Sequence, residues 1–275
     1  MNEDDDSKAY FDLWRLIPDG APIVTHSSRL FPVRRDGAPA MLKIAVSPEE
    51  KGGAELMVWW NGDGAARVLE HKDDAILLER ATGSRSLAEM ARNGRDDEAS
   101  GIICKAVAQL HAARGGALPQ LVPLTHRFRS LEAMAHCEGG TFVLSAAMAR
   151  KLLSEPRDVV PLHGDIHHGN ILDFAERGWL VIDPKGLLGE RGFDYANLFC
   201  NPDHAVATSP GRLVRQVDIV AEAAQLSRWR LLQWIVAWAG LSAAWLIEDG
   251  VDEHVAAAIQ VAEIAAAELG GVGVA

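Results

Sequence analysis

The rhythm of apolar and polar positions changes about a third of the way along the chain. Up to Arg80 the apolar residues come in short runs of strand length, separated by turn-forming residues. Beyond it they recur every three or four positions, as on helices with one buried face. Ile23 to Val33 reads as extended chain and Ala40 to Val46 as a second strand, and the Asp36-Gly37 pair between them predicts a hairpin, because Gly tolerates positive φ. Arg67 to His71 and Ala75 to Leu78, turning at Lys72-Asp73-Asp74, predict another. Between the hairpins a helix is expected from Ser47 to about Trp60. Ser47 supplies an N-cap, Pro48 suits the first helical position, Glu50 completes a capping box, and Asn61-Gly62 ends the helix. Gly52 and Gly53 weaken it.

Ser86 and Glu89 form a second capping box, and helical spacing continues through Ile102, Ile103, Val107 and Leu110. Further helices are predicted near 128–137, 141–154, 193–200, 211–227, 229–248 and 253–269. Val159 to Ile182 breaks the pattern and reads as loop with short strands. The expected architecture is therefore α+β, with a small strand-rich N-terminal lobe over residues 1–80. It leads through Glu79–Arg85 into a larger helical lobe over residues 81–275.

Leu231 to Ile247 is 17 residues long without a charge, near the lower limit for a membrane span. Trp234, Trp238, Leu241 and Trp245 share one helical stripe, and Gln233 and Ser242 interrupt the rest, so a buried core helix is expected and no membrane. Acids outnumber bases 38 to 27 in 275 residues, a net charge of −11, which argues against a nucleic-acid partner and fits a cationic small molecule. Cys104, Cys137 and Cys200 lie far apart and are odd in number, which points to a reducing, cytoplasmic setting. The acidic run at the start of the chain reads as a solvated, frayed terminus with no secretory character.

Candidate chemistry concentrates in Pro161-Leu-His-Gly-Asp-Ile-His-His-Gly-Asn-Ile-Leu-Asp173. Its glycines forbid a stable helix, so this is a shaped loop. The strand Trp179 to Ile182 follows and ends at Asp183, and the turn at Glu176-Arg177-Gly178 predicts a hairpin that brings Asn170 and Asp183 together. Hard oxygen ligands of this kind hold Mg²⁺ against nucleotide phosphates, and a further Asp can orient a hydroxyl and accept its proton. His163-Gly-Asp165, then Asn170, then Asp183-Pro-Lys-Gly186 follows the order and spacing that protein kinases use.

With Gly164 and His167 included, the loop resembles the HGDxHxxN motif of the aminoglycoside phosphotransferase family. Within it, the wording from Asp183 to Asp194 most resembles streptomycin 6-phosphotransferases and the aminoglycoside and hydroxyurea resistance kinases. The resemblance implies a bilobal protein-kinase-like fold and ATP-dependent transfer of the γ-phosphate to an aminoglycoside hydroxyl, the streptomycin 6-hydroxyl being expected. It implies Asp165 as catalytic base, Asn170 and Asp183 as Mg²⁺ ligands, and Lys43 as the phosphate contact. Glu55 on the capped helix is the implied ion-pair partner of Lys43, and the backbone at Glu79 and Ala81 is the implied adenine contact. His163 and Asp194 are expected as scaffolding, and His168 as exposed. There are two departures: Thr25-His-Ser-Ser-Arg29 replaces a glycine-rich loop, and Lys185 stands where the kinase motif has Phe. Acids around Glu248, Asp249, Asp252 and Glu253 are candidates for a cation-attracting cleft or for a solvated helix connection.

Three other readings share these residues. A kinase of another small hydroxylated metabolite uses the same motifs. A dinuclear metallophosphoesterase would use His167 and His168 with His163 and Asp165 as metal ligands, but needs an upstream Asp-x-His that the chain lacks. A non-catalytic nucleotide-binding module would not need all the motif residues.

Overall fold

The alternation of the first third folds into one antiparallel sheet. The structure, a computed structural model, describes residues 3–25 and 27–271, with only the backbone course at residues 3–6, 48–49 and 271. A helix, α1 (Glu3–Trp14), stands where a frayed terminus was expected; Met1 and Asn2 lie outside the described residues. Tyr10, Phe11 and Trp14 fall on one face of α1 and pack on the sheet against Phe31, Leu42 and Leu77, which is what orders the segment. The strands β1 (Ile17–Pro18), β2 (Ile23–Val24), β3 (Ser28–Arg35) and β4 (Ala38–Ala45) follow, then α2 (Pro48–Trp60), β5 (Val68–Lys72) and β6 (Ala75–Glu79). The sheet order is β1-β3-β4-β6-β5, with β2 also on β3.

Register fixes what the sheet presents. Lys43 pairs with Leu30 on one side and Ile76 on the other, in the middle of the sheet. Ala40 and Leu42 are fully buried beneath α1, so the two-residue period turns Lys43 to the opposite face. Both predicted hairpins form. The α2 helix ends at Asn61 in the left-handed region, as its Asn-Gly stop predicts. Its expected capping box does not form: Ser47 makes no side-chain cap bond.

The remaining chain is mainly helical. The predicted helix after Ser86 divides into α3 (Leu87–Arg92) and α4 (Asp96–Leu110), and Ser86 Oγ caps α3 by accepting from the Glu89 amide. Then come β7 (Val122–Pro123), α5 (Arg129–Glu138), α6 (Gly140–Ser154), β8 (Val159–Leu162), β9 (Ile171–Asp173), β10 (Trp179–Val181) and β11 (Leu187–Glu190). The chain finishes with α7 (Gly192–Ala196), α8 (His204–Ala207), α9 (Arg212–Ala223), α10 (Arg228–Glu248) and α11 (Asp252–Gly271).

Helix α10 is the axis of this lobe and packs on α11, α6 and α7. It is long and apolar enough to cross a membrane, yet 72% of its most apolar window is buried within the protein, as expected of a core helix. Two buried ion pairs brace the lobe. Arg230 donates to both oxygens of Glu190 at 2.9 and 2.6 Å, and the Trp234 indole donates to the same carboxylate at 2.8 Å. Arg212 grips Asp96 at 2.8 and 3.1 Å. Removing one partner of such a pair costs about 3–5 kcal/mol, because it strands a buried charge.

Candidate active site

The hairpin β9–β10 performs the convergence the spacing predicts. Ile171 pairs with Val181, and just beyond them the Ile182 amide donates to the Asn170 carbonyl at 2.9 Å, so Asn170 and Asp183 leave the hairpin side by side. The preceding loop is held by buried groups. Asp194 accepts from the Gly164 amide at 2.7 Å, from the His163 amide at 2.9 Å and from His111 Nε2 at 2.8 Å. The His163 ring donates from Nε2 to the Ile182 carbonyl at 2.7 Å and accepts the Asp165 amide on Nδ1 at 3.2 Å. Burial lowers its pKa, keeping the ring in this neutral tautomer. The scaffolding expected of His163 and Asp194 is present.

Asp165 is thereby held part-exposed, and its two oxygens are bonded separately. Asn197 Nδ2 donates to Oδ1 at 3.0 Å. Asn170 Nδ2 donates to the Asp165 carbonyl at 2.9 Å and to Oδ2 at 3.3 Å. With its amide nitrogen committed to Asp165, Asn170 has its carbonyl oxygen to offer a cation. His167 accepts the Gly169 amide on Nδ1 at 3.0 Å, which puts the proton on Nε2, 3.8 Å from Asp165 Oδ2. His168 is not exposed as expected. It is buried beside Arg212 and Asp96, with both ring nitrogens unpartnered, and burial lowers its pKa to about 4.

Across the cleft, Lys43 Nζ meets Asp183 Oδ1, although 140 residues separate them. Its second partner is Glu50, not the expected Glu55. Glu50 and Glu55 lie five residues apart on α2, about 140° around the helix at about 100° per residue. Only one can face the sheet: Glu50 is buried and Glu55 faces solvent. Glu50 also accepts from Ser27 Oγ at 3.0 Å and from Lys185 Nζ at 2.7 Å, and Lys185 reaches Asp183 Oδ2 at 3.3 Å. Burial alone would raise the Asp183 pKa, but the Lys43 and Lys185 ammonium groups outweigh it and hold the carboxyl well below the usual range. Asp183 has φ of +64°, a left-handed conformation that Asp tolerates better than most residues.

Gly53 explains why this helix carries glycines. A Cβ there would lie 1.9 Å from the Pro184 carbonyl oxygen, so α2 can rest against the Asp183–Gly186 loop only with Gly at this position. The segment leaving β6 is pinned as well. The Glu79 carboxylate accepts from the Arg67 amide at 2.6 Å and pairs with Arg177, and the Glu79 amide donates to the Arg67 carbonyl at 3.0 Å. Ala81 is half-buried at the exit from the strand. Beyond it, Asp173 accepts two bonds from Arg85, both at 2.8 Å, and this pairing lowers its pKa to about 2. Of the segment that replaces a glycine-rich loop, Thr25 Oγ1 accepts the Ser28 amide at 3.0 Å, Ser27 serves Glu50, and His26 lies outside the described residues. Glu248, Asp249, Asp252 and Glu253 are exposed at the α10–α11 turn.

A lysine on a sheet facing a carboxylate, an amide and a second, separately oriented carboxylate on a loop is the set of groups that phosphotransferases of protein-kinase type use. Among the described residues, no group of three or more His, Cys, Asp or Glu side chains could form a metal cage, so the dinuclear phosphoesterase lacks its ligands. Residues 13–250 match the aminoglycoside/hydroxyurea antibiotic resistance kinases, and the chain belongs to that family. It is 51% identical over 254 residues to a streptomycin 3''-kinase of Klebsiella pneumoniae, covering 90% of this chain and 95% of the relative. It is 34% identical over 271 residues to a streptomycin 6-kinase of Streptomyces griseus, covering 92% and 85%. Among solved structures, an aminoglycoside phosphotransferase, APH(4)-Ia, crystallised with AMP-PNP and hygromycin B, shares the fold at a TM-score of 0.64. The identity is 15%, over 94% of this chain and 96% of that one.

Proposed function

We propose that the protein transfers the γ-phosphate of ATP to a hydroxyl of streptomycin, and that residues 1–80 form the nucleotide lobe. The observation that carries this reading is the meeting of Lys43 with Asp183 at the mouth of a cleft, beside a separately held Asp165. ATP would sit with its adenine against the backbone at Glu79 and Ala81 and its phosphates beneath Lys43. Asn170 and Asp183 offer an amide oxygen and a carboxylate, a donor set suited to Mg²⁺, which when bound supplies positive charge to the phosphates. Asp165, fixed by Asn197, aligns the acceptor hydroxyl for in-line attack and receives its proton. Glu50 keeps Lys43 aimed at the phosphates.

Streptomycin carries two guanidinium groups, and the net charge of −11 favours the approach of such a cation. The 3''-hydroxyl is the favoured acceptor, on the strength of the 51% identity to a 3''-kinase. The 6-hydroxyl is the second reading, favoured by the 34% relative and by the wording from Asp183 to Asp194. The three free cysteines accord with action in the cytoplasm. The test is a panel of hydroxylated acceptors with ATP and Mg²⁺, read as ADP release. Streptomycin should stimulate release and Asp165→Asn should abolish the stimulation. A panel in which no acceptor exceeds background would refute the reading.

A further inference from the structure

A second polar side chain, His167, stands beside Asp165 on the same loop. Its Nε2 lies 3.8 Å from Asp165 Oδ2, and each of the two side chains is 28% exposed. The ring is oriented from behind. The Gly169 amide donates to Nδ1 at 3.0 Å, which leaves the proton on Nε2, the atom nearer the carboxylate. A Cβ at position 169 would lie 3.0 Å from His167 Cε1, so the ring is seated directly on the Gly169 backbone. Asp165 is held as well: Oδ1 accepts from Asn197 Nδ2 at 3.0 Å and Oδ2 from Asn170 Nδ2 at 3.3 Å.

At 3.8 Å the Nε2–H and Oδ2 are too far apart to bond to each other, yet an oxygen atom can sit about 2.8 Å from both. The chemistry of the pair selects that oxygen. An ionised carboxylate only accepts and an Nε2–H only donates, so a group between them must both give and take a hydrogen bond. A hydroxyl does this. A phosphoryl oxygen has no proton to offer the carboxylate. Under the proposed function, on which this inference rests, the hydroxyl is that of the acceptor. Its proton goes towards Asp165 Oδ2, one lone pair is taken by His167, and the other is left to face phosphorus.

We propose that His167 is a catalytic residue that holds the attacking oxygen: its Nε2–H and Asp165 Oδ2 form a two-point clamp on the acceptor hydroxyl. In the step, the bond from that oxygen to the γ-phosphorus forms as the bond from the γ-phosphorus to the ADP oxygen breaks. The hydroxyl proton passes to Asp165. His167 keeps its own proton throughout, so what it contributes is aim.

The test is steady-state kinetics of the full-length chain with streptomycin, ATP and Mg²⁺, beside calorimetric titration with Mg²⁺-AMP-PNP. His167→Phe fills the ring volume without a donor. Its kcat should fall about 10- to 100-fold while Mg²⁺-AMP-PNP affinity stays within about twofold. His167→Gln, whose side-chain amide can donate from near the Nε2 position, should recover most of the loss. Wild-type kcat in His167→Phe, a His167→Gln variant as slow as His167→Phe, or a loss matched by weaker Mg²⁺-AMP-PNP binding would overturn the inference and leave the kinase reading standing. If His167→Phe does not fold, His167→Leu takes its place under the same criteria. Wild-type protein that releases ADP with no acceptor of the panel would overturn both.

Discussion

The side-chain amide of Asn197 donates to Oδ1 of Asp165 at 3.0 Å, joining the helical lobe to the loop that carries the proposed base. Asn201 in turn donates to the Asn197 carbonyl oxygens at 3.0 and 2.8 Å, so the orienting group is itself oriented. With Asn170 on the other oxygen, the Asp165 carboxylate has little rotational freedom. Asn197→Ala should therefore lower kcat about 10- to 100-fold with the KM for ATP nearly unchanged, as expected when geometry is lost and nucleotide binding is not. Steady-state kinetics at saturating acceptor would check this; a change confined to the KM for ATP would argue against the assignment.

The partner of Lys43 is tested by two glutamines. Glu50→Gln should reduce kcat/KM for ATP by about tenfold or more, because a buried ion pair loses its carboxylate. Glu55→Gln, on the solvent side of α2, should change it by less than about twofold. Equal effects would mean that the buried face of α2 is misassigned.

The adjacent glycines of α2 should behave in opposite ways. Gly53→Ala forces a Cβ against the Pro184 carbonyl oxygen, where it would lie at 1.9 Å. The loop bearing Asp183 must then move, at about 1–3 kcal/mol in stability and with weaker nucleotide binding. Gly52→Ala meets nothing within 4 Å and should stabilise the helix by about 0.5–1 kcal/mol. Thermal unfolding with and without Mg²⁺-AMP-PNP would separate the two.

Asp173 sets one component of acid stability. Its pKa in the folded protein is lowered to about 2, below the usual carboxylate range, by the pairing with Arg85. A depressed carboxylate stabilises the fold above its unfolded pKa, and that stabilisation fades as pH falls through the folded value. The pair should thus contribute fully above about pH 5 and be lost by about pH 2. Urea unfolding across that range should show Asp173→Asn to be less stable near neutrality and to converge with the wild type in acid. A constant difference between them at every pH would contradict the pairing.

Much of this centre was legible from sequence because it lies in continuous segments. Asp165, Asn170 and Asp183 fall within one loop-hairpin unit whose turn residues announce the hairpin, and Lys43 interrupts an apolar strand where a charge needs a reason. Most of the helices and both N-lobe hairpins followed from periodicity for the same local reason. What escaped depends on which faces meet. Glu50 carried a plausible local role as the closing residue of a capping box, which hid its place opposite Lys43. Gly53 read only as a weakness in a helix, because the close approach to Pro184 is a contact across 131 residues. Lys185 read as a departure from a motif, and Asn197 lay in a stretch that read simply as helix. The signals available were a Gly pair inside a predicted helix and a lysine beside the second acid.

The central claim is that Lys43, Asp183, Asn170 and Asp165 work as one phosphoryl-transfer centre on streptomycin. Mass spectrometry and phosphorus NMR of streptomycin incubated with the protein, ATP and Mg²⁺ test it most directly. One phosphate ester should appear, coupled to the 3'' proton, and none should form with Asp165→Asn or Lys43→Met. Unmodified streptomycin after ATP has been consumed, or equal product from the Asp165→Asn variant, would contradict it.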